Sequence, residues 1–105
     1  MWSVRWHPEA EEELRKLPTE EQLALDHAIG KLAALGPRLP YPHQSAVRGS
    51  QGLRELRPRG GRSPWRALYG RRGDSFLIAA VAPEAEVDPR GFQRAARTAR
   101  RRLEE

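Results

Sequence analysis

The chain of 105 residues is long enough for one domain with a modest hydrophobic core, and its formal net charge of +5 favours a polyanion partner such as RNA, DNA or an acidic protein. It has no cysteine and no histidine spacing typical of zinc sites, which excludes disulfides and predicts no metal and no cofactor. No apolar run reaches the roughly 18 residues of a membrane span and no signal-peptide pattern is present, so we expect a cytoplasmic protein.

The chain begins with a predicted strand and a predicted short helix. Trp2, Val4 and Trp6 alternate with polar residues, which is the period-2 pattern of a half-buried strand. Pro8 suits the first turn of a helix, and the acidic residues that follow it suit a helix N-terminus. This helix is expected to end near Pro18.

A second helix is predicted directly after the first. Thr19 followed by Gln22 has the spacing of a capping box, and apolar residues then recur at helical spacing from Leu25 to the helix-ending Gly36. A tight turn between the two helices predicts an antiparallel helical hairpin.

The second half of the chain predicts a sheet. Residues 38–52 are rich in proline and have no apolar period, which predicts an ordered loop. Residues 53–57, 64–69 and 75–81 are then predicted to be strands separated by glycine turns.

The chain is predicted to end in a helix that begins at Asp88 and Pro89. Its apolar positions would be Phe92, Ala96, Ala99 and Leu103, with arginines on the rest of its surface. The element order is β-α-α-β-β-β-α. We therefore expect a single α+β domain over residues 1–105, with a small, mostly antiparallel sheet packed against the hairpin and the terminal helix.

Charge is segregated along the chain. Residues 36–72 contain nine arginines and one acid, Glu55, for a net charge of +8, whereas residues 1–35 contain four bases and seven acids, for a net charge of −3. Arginine binds two phosphate oxygens with its planar fork and keeps its charge at working pH. The basic segment therefore predicts a phosphate-binding surface.

The sequence resembles a known family in four places: the opening WSVRW, Val47 to Gly49, Gly52 to Arg57 (GLRELR) and Trp65 to Tyr69 (WRALY). With these motifs it resembles the RelE/HigB-like toxins of type II toxin-antitoxin systems, particularly their phage-derived HigB-like branch. The resemblance implies a RelE-like fold and a ribosome-dependent mRNA endonuclease (mRNA interferase) that works without a metal. It also implies a cognate antitoxin, expected to be a small helix-turn-helix protein that covers the Arg57/Arg66 face.

The resemblance also implies roles for individual residues. Arg66 would contact the scissile phosphate, Arg57 would assist it, Glu55 would accept a proton or orient an arginine, and Tyr69 would stack on a base. Alternatively, the two arginines form surface ion pairs with helix carboxylates, Glu55 forms a salt bridge with Arg54 or Arg66, and Tyr69 belongs to the core. Six further arginines are candidates for binding the RNA backbone: Arg48, Arg54, Arg59, Arg62, Arg71 and Arg72.

The chain departs from the family pattern after the last predicted strand. Between Asp74 and Arg90 it has no basic residue and no tyrosine, which relatives often use as acid or base. Proton transfer would then fall to Glu55, His43, Glu84 or Glu86. The same departure leaves open a second function, that of a weakly active or inactive basic module that contacts ribosomal RNA or an acidic protein. A third function, direct repression of DNA, has less support because the sequence has no helix-turn-helix pattern.

Overall fold

A computed structural model describes all residues 1–105 and confirms the predicted α+β class. The elements are β1 (Ser3–Trp6), α1 (Pro8–Arg15), α2 (Thr19–Leu35), β2 (Gln44–Ala46), β3 (Arg54–Leu56), β4 (Trp65–Arg72), β5 (Ser75–Pro83) and α3 (Pro89–Leu103). Two short 3-10 turns occupy Gly36–Arg38 and Pro58–Gly61. None of the three helices combines the length and the apolar content that crossing a bilayer requires.

The five strands form one sheet in the order β1-β5-β4-β3-β2. The pair of β1 and β5 is parallel and the other three pairs are antiparallel. Strand β2 corrects the prediction that residues 38–52 are a loop. It has three residues and pairs with β3 at the sheet edge, which is too short a stretch to produce an apolar alternation in the sequence.

The sheet separates two hydrophobic layers. One face packs against α1 and α2 and includes Ala67, Tyr69 and Ile78, whereas the other packs against α3 and includes Leu68 and Ala80. Alternation along β4 and β5 produces this division because successive side chains point to opposite faces. Side chains on the α3 face of β3, β4 and β5 therefore lie beside one another.

The two predicted helix caps have different outcomes. Asp88 accepts a hydrogen bond from the backbone N–H of Gly91 at 2.9 Å, which confirms the predicted cap of α3. The prediction of a capping box for α2 is wrong. Pro18 is the residue before the helix, and its side chain cannot accept a hydrogen bond. Gln22 instead donates to the carbonyl of Leu17 at 2.9 Å and thereby connects α1 to α2.

Side chains cap the edge of β5 beyond the end of β1. The parallel pairing ends where Trp6 meets Ile78, so the following peptide groups on that edge have no strand partner. Arg102 donates to the carbonyl of Ala79 at 2.9 Å, and Glu13 accepts from the N–H of Val81 at 3.0 Å. Arg102 is buried and forms an ion pair with Glu13 at 2.9 Å, which corrects the expectation that the arginines of α3 all lie on its outer surface.

Candidate functional site

Three strands bring acidic and basic side chains together on the α3 face of the sheet. Glu55 of β3 pairs in register with Leu68, and Arg66 of β4 pairs with Ala82 of β5. Glu84 follows Ala82 by two residues and therefore points to the same face. These side chains line a cavity of about 220 Å³ together with Arg57 and Glu86, and we call it the carboxylate–arginine pocket.

Arg66 is buried in this pocket, and all the N–H donors of its guanidinium bind other groups of the protein. Its side chain is 4% exposed. Nε donates to Glu55 at 3.2 Å, Nη1 to the carbonyls of Ser63 (2.5 Å) and Trp65 (3.0 Å), and Nη2 to the carbonyl of Gly61 (3.3 Å) and to Glu84 (3.0 Å). A guanidinium has five N–H donors, so none is left for a phosphate in this arrangement.

Arg57 has free donors in the same pocket. Its Nη1 donates to Glu55 at 2.9 Å and its Nε to the carbonyl of Pro42 at 3.0 Å, whereas Nη2 has no partner. The guanidinium carbon lies 5.6 Å from the ring centre of Tyr41, and the side chain is 22% exposed. Gly61 has a φ of +96°, which favours glycine, and a Cβ there would lie 2.7 Å from Nη2 and displace the guanidinium. Arg57 is thus oriented and still able to bind an anion.

The carboxylate–arginine pocket is acidic, although the segment that supplies its arginines is basic. Glu55, Glu84 and Glu86 line it against Arg57 and Arg66, which gives a formal net charge of −1. Two of the three acids, Glu84 and Glu86, lie directly after β5 and beyond the basic segment of residues 36–72. The net charge disfavours an isolated phosphate, so an anion bound here needs direct contact with an arginine.

Glu21 holds the turn that surrounds Arg66, a role that no pattern in the sequence indicates. It accepts hydrogen bonds from Ser63 Oγ at 2.5 Å and from Arg59 at 2.8 Å. The hydrogen bond from Ser63, and then that from Arg59, lower the pKa of Glu21 below its ordinary value. Arg59 has a positive φ of 56°, which is uncommon for a residue with a side chain. Because Arg59 is paired with Glu21, it faces α2 and not the pocket.

Tyr69 lies apart from the carboxylate–arginine pocket. It is 2% exposed, belongs to the layer beneath α1 and α2, and contacts Phe76 edge-to-face with ring centres 5.5 Å apart. Burial raises the pKa of Tyr69, against an opposing effect of Arg54. Its surroundings match the core alternative.

Three of the other arginine candidates do not line the carboxylate–arginine pocket. Arg54 lies on the α2 face and donates to the side chain of Gln44 at 2.7 Å. Arg71 and Arg72 end β4, about 17 Å and about 20 Å from Arg66 at the usual rise per residue of a strand. Arg71 stacks over Trp2 at 4.8 Å, and Arg72 donates to the carbonyl of Leu103.

The remaining candidates occupy different environments. Arg48 and Arg62 are exposed and have no ion-pair partner, and Arg48 lies beside α3. His43 lines a cavity of about 60 Å³ on the α2 side, together with His27 and Lys31, so it does not face Arg66. No group of three His, Cys, Asp or Glu side chains is arranged to hold a metal ion.

Several solved structures with a similar fold are toxins or toxin-antitoxin complexes. The free RelE toxin of E. coli, in a doubly substituted form, is 18% identical with a TM-score of 0.65, and the match covers 91% of this chain and 95% of that one. RelBE2, a toxin-antitoxin complex of Mycobacterium tuberculosis, matches at 24% identity and a TM-score of 0.60 over 79% of this chain and 98% of that one. The RelE–RelB complex of Pyrococcus horikoshii matches at 17% identity and a TM-score of 0.58 over 78% and 93%.

The sequence comparisons identify the family. No curated protein matches the sequence. The family model described as phage-derived protein Gp49-like matches residues 12–82, which is roughly two thirds of the chain and includes β2 to β4 and nearly all of β5. The matched segment contains Glu55, Arg57 and Arg66. The chain therefore belongs to the phage-derived Gp49-like family and has the fold of the RelE toxins.

Proposed function

We propose that the protein is the toxin of a toxin-antitoxin pair and cuts mRNA on the ribosome without a metal ion. The observation that carries the proposal is the pair of Arg57 and Glu55, which places an oriented arginine with free N–H donors beside a carboxylate. The partner would be a small antitoxin, because RelBE2 and the RelE–RelB complex of Pyrococcus horikoshii, which share this fold, each contain a toxin bound to an antitoxin.

The proposed reaction uses the ribose of the RNA as its own nucleophile. The 2′-hydroxyl loses a proton to a base and its oxygen bonds to the adjacent phosphorus. The bond from phosphorus to the 5′-oxygen then breaks, and that oxygen takes a proton from water. Products are a 2′,3′-cyclic phosphate and a 5′-hydroxyl.

Glu55 is the proposed base and Arg57 the proposed phosphate ligand. Glu55 binds both arginines through Oε1, and its Oε2 accepts no hydrogen bond from the protein. Arg57 would bind the phosphate oxygens as negative charge develops on them, which typically accelerates a reaction about 10²-fold to 10³-fold for one donor. Arg66 would act indirectly, by fixing Glu55 and Glu84.

A second function is supported by the same pocket. Its net charge of −1 and the fully engaged guanidinium of Arg66 fit a module that binds RNA or protein elsewhere and does not cut. The two functions differ in whether mRNA is cleaved.

Cleavage on programmed ribosomes tests the proposal. The wild-type chain should cut mRNA in the A site and arrest growth when expressed without a partner. Arg57→Gln should lower the cleavage rate about 10²-fold to 10³-fold. Arg5→Gln is the matched control, because it removes the same charge from an exposed arginine of β1 that is not an RNA-binding candidate, and it should leave the rate almost unchanged. If the wild-type chain leaves mRNA intact, the binding-module function replaces the nuclease.

A further inference from the structure

A second cavity lies beside α3 and is basic. It has a volume of about 530 Å³ between residues 47–50 and one side of α3, and we call it the arginine groove. Arg48, Arg97 and Arg100 line it, and no acidic residue does. Its formal charge of +3 contrasts with the −1 of the carboxylate–arginine pocket.

The arginines of the groove are available to a ligand. Arg48 and Arg97 are exposed and form neither an ion pair nor a side-chain hydrogen bond. Arg100 donates from Nη1 to Ser50 Oγ, a contact that orients its guanidinium toward the turn and leaves the charge without a carboxylate partner. Exposed arginines without partners keep their full attraction for an anion.

The groove is continuous with two other surfaces. Ala85 lines both the groove and the carboxylate–arginine pocket. At the other end, Arg100 also lines a cavity of about 380 Å³ that includes Arg71, Arg72 and one acidic residue, Glu104, so its formal charge is +2. A basic track therefore leads from the edge of the carboxylate–arginine pocket along α3 to the far end of β4. A track of this length fits the row of phosphates in a polynucleotide better than it fits one small anion.

We propose that the arginine groove binds the phosphate backbone of single-stranded RNA outside the cleavage pocket. The choice of ligand rests on the proposed function. Arg97 and Arg100 are three residues apart on α3, so their Cβ atoms are about 5–6 Å apart, which is similar to the separation of successive phosphates. Phosphate contacts of this kind fix the register of a strand without reading its sequence.

An acidic protein segment fits the groove less well. The apolar residues of its floor, Val47, Phe92 and Ala96, are between 5% and 8% exposed. Because these side chains already pack between α3 and the sheet, they offer little apolar area to an amphipathic peptide. The exposed apolar lining residues, Ala85 and Pro89, are small, so the arginine heads supply the main attraction of the groove.

Removing the two unpaired arginines tests the groove. Arg48→Gln with Arg97→Gln should weaken binding of a short labelled single-stranded RNA and reduce the slope of log affinity against log salt by about 1.4, since each single-strand phosphate contact contributes about 0.7. The corresponding loss of RNA affinity is about 25-fold at about 0.1 M salt. The control is Arg90→Gln with Arg94→Gln, which removes the same charge from exposed positions of α3 outside the groove.

The outcomes separate the groove from the proposed function. If both double variants lose affinity equally, net charge alone explains binding and the groove proposal fails. It also fails if poly-L-glutamate binds in a manner that depends on Arg48 and Arg97 while RNA does not, since the ligand is then an acidic protein. Selective loss of RNA binding supports the groove even if ribosome-bound mRNA is never cut, a result that would overturn the nuclease alone.

Discussion

The carboxylate–arginine pocket and the arginine groove use the same residue type in opposite ways. In the pocket, both arginines contact carboxylates, and Arg66 has no free donor. In the groove, the three arginines face solvent without any carboxylate. The number of arginines in a segment therefore does not locate an anion site, because pairing within the protein decides which charges remain available.

The two regions suit two different tasks of a nucleic-acid enzyme, attraction of the polyanion and chemistry. Unpaired surface arginines attract a polyanion over distance, and the effect weakens with salt. Paired arginines in a pocket are held in fixed positions, which suits the stabilisation of charge that develops during a reaction. The groove would supply affinity and the pocket would supply chemistry, so substitutions in the two regions should have separable effects.

The largest effect on stability is expected from Arg66→Met. This change removes the donor that binds three backbone carbonyls, Glu55 and Glu84, and of these acceptors Glu55 alone keeps a second arginine partner, Arg57. Removing one member of a buried ionic network typically costs about 3–5 kcal/mol. Urea unfolding of the variant measures the loss.

Arg57→Met is the control for this prediction. Arg57 is 22% exposed and makes two hydrogen bonds, so the free energy of unfolding should fall by about 1 kcal/mol. Equal losses in the two variants would mean that Arg66 is not a structural centre of the pocket, which would weaken the contrast with the groove.

A smaller effect is expected from Glu84→Gln. The change raises the formal charge of the carboxylate–arginine pocket from −1 to 0 and removes the ionic partner of Arg66 Nη2. RNA affinity should rise about 3-fold to 5-fold at about 0.1 M salt, a gain of about 1 kcal/mol or less. Fluorescence anisotropy with a labelled RNA measures the change.

Glu86→Gln is the matched substitution, because Glu86 lines the same pocket and has no arginine contact. It should raise the affinity less than Glu84→Gln does. The same gain from both substitutions would show that pocket charge alone matters and that the contact between Glu84 and Arg66 does not restrain Arg66.

Patterns confined to one element made the fold largely predictable. Alternation of Trp2, Val4 and Trp6 predicted β1, and these three side chains pack against the layer beneath α1 and α2. The cap at Asp88 also depends on a hydrogen bond to a residue three positions away. Such features need no information on the rest of the chain.

Contacts between distant segments made the site less predictable. Ser63 and Glu21 are separated by 42 residues, and no periodicity connects them. The engagement of Arg66 depends on carbonyls of a turn in which Arg59, Gly60 and Gly61 have positive φ. The glycines indicated a turn, but the direction of its carbonyls follows from tertiary packing against α2.

The smallest effect concerns Glu21, which fixes that turn and hence the pocket but not the groove. The folded protein lowers the pKa of Glu21 below its ordinary 4.5, so its contribution to stability is present above that pH and is lost as pH falls through the lower folded value. Glu21→Gln should therefore reduce the free energy of unfolding by about 1 kcal/mol or less at neutral pH, and the difference from wild type should shrink below about pH 4.5. Glu20→Gln, on the exposed position next to it, should show no such pH dependence.

Urea unfolding between neutral and acidic pH measures both variants, and a difference that stays constant with pH would contradict the role of the ionised carboxylate. RNA binding through the groove should be unchanged in Glu21→Gln, because the groove makes no contact with this turn.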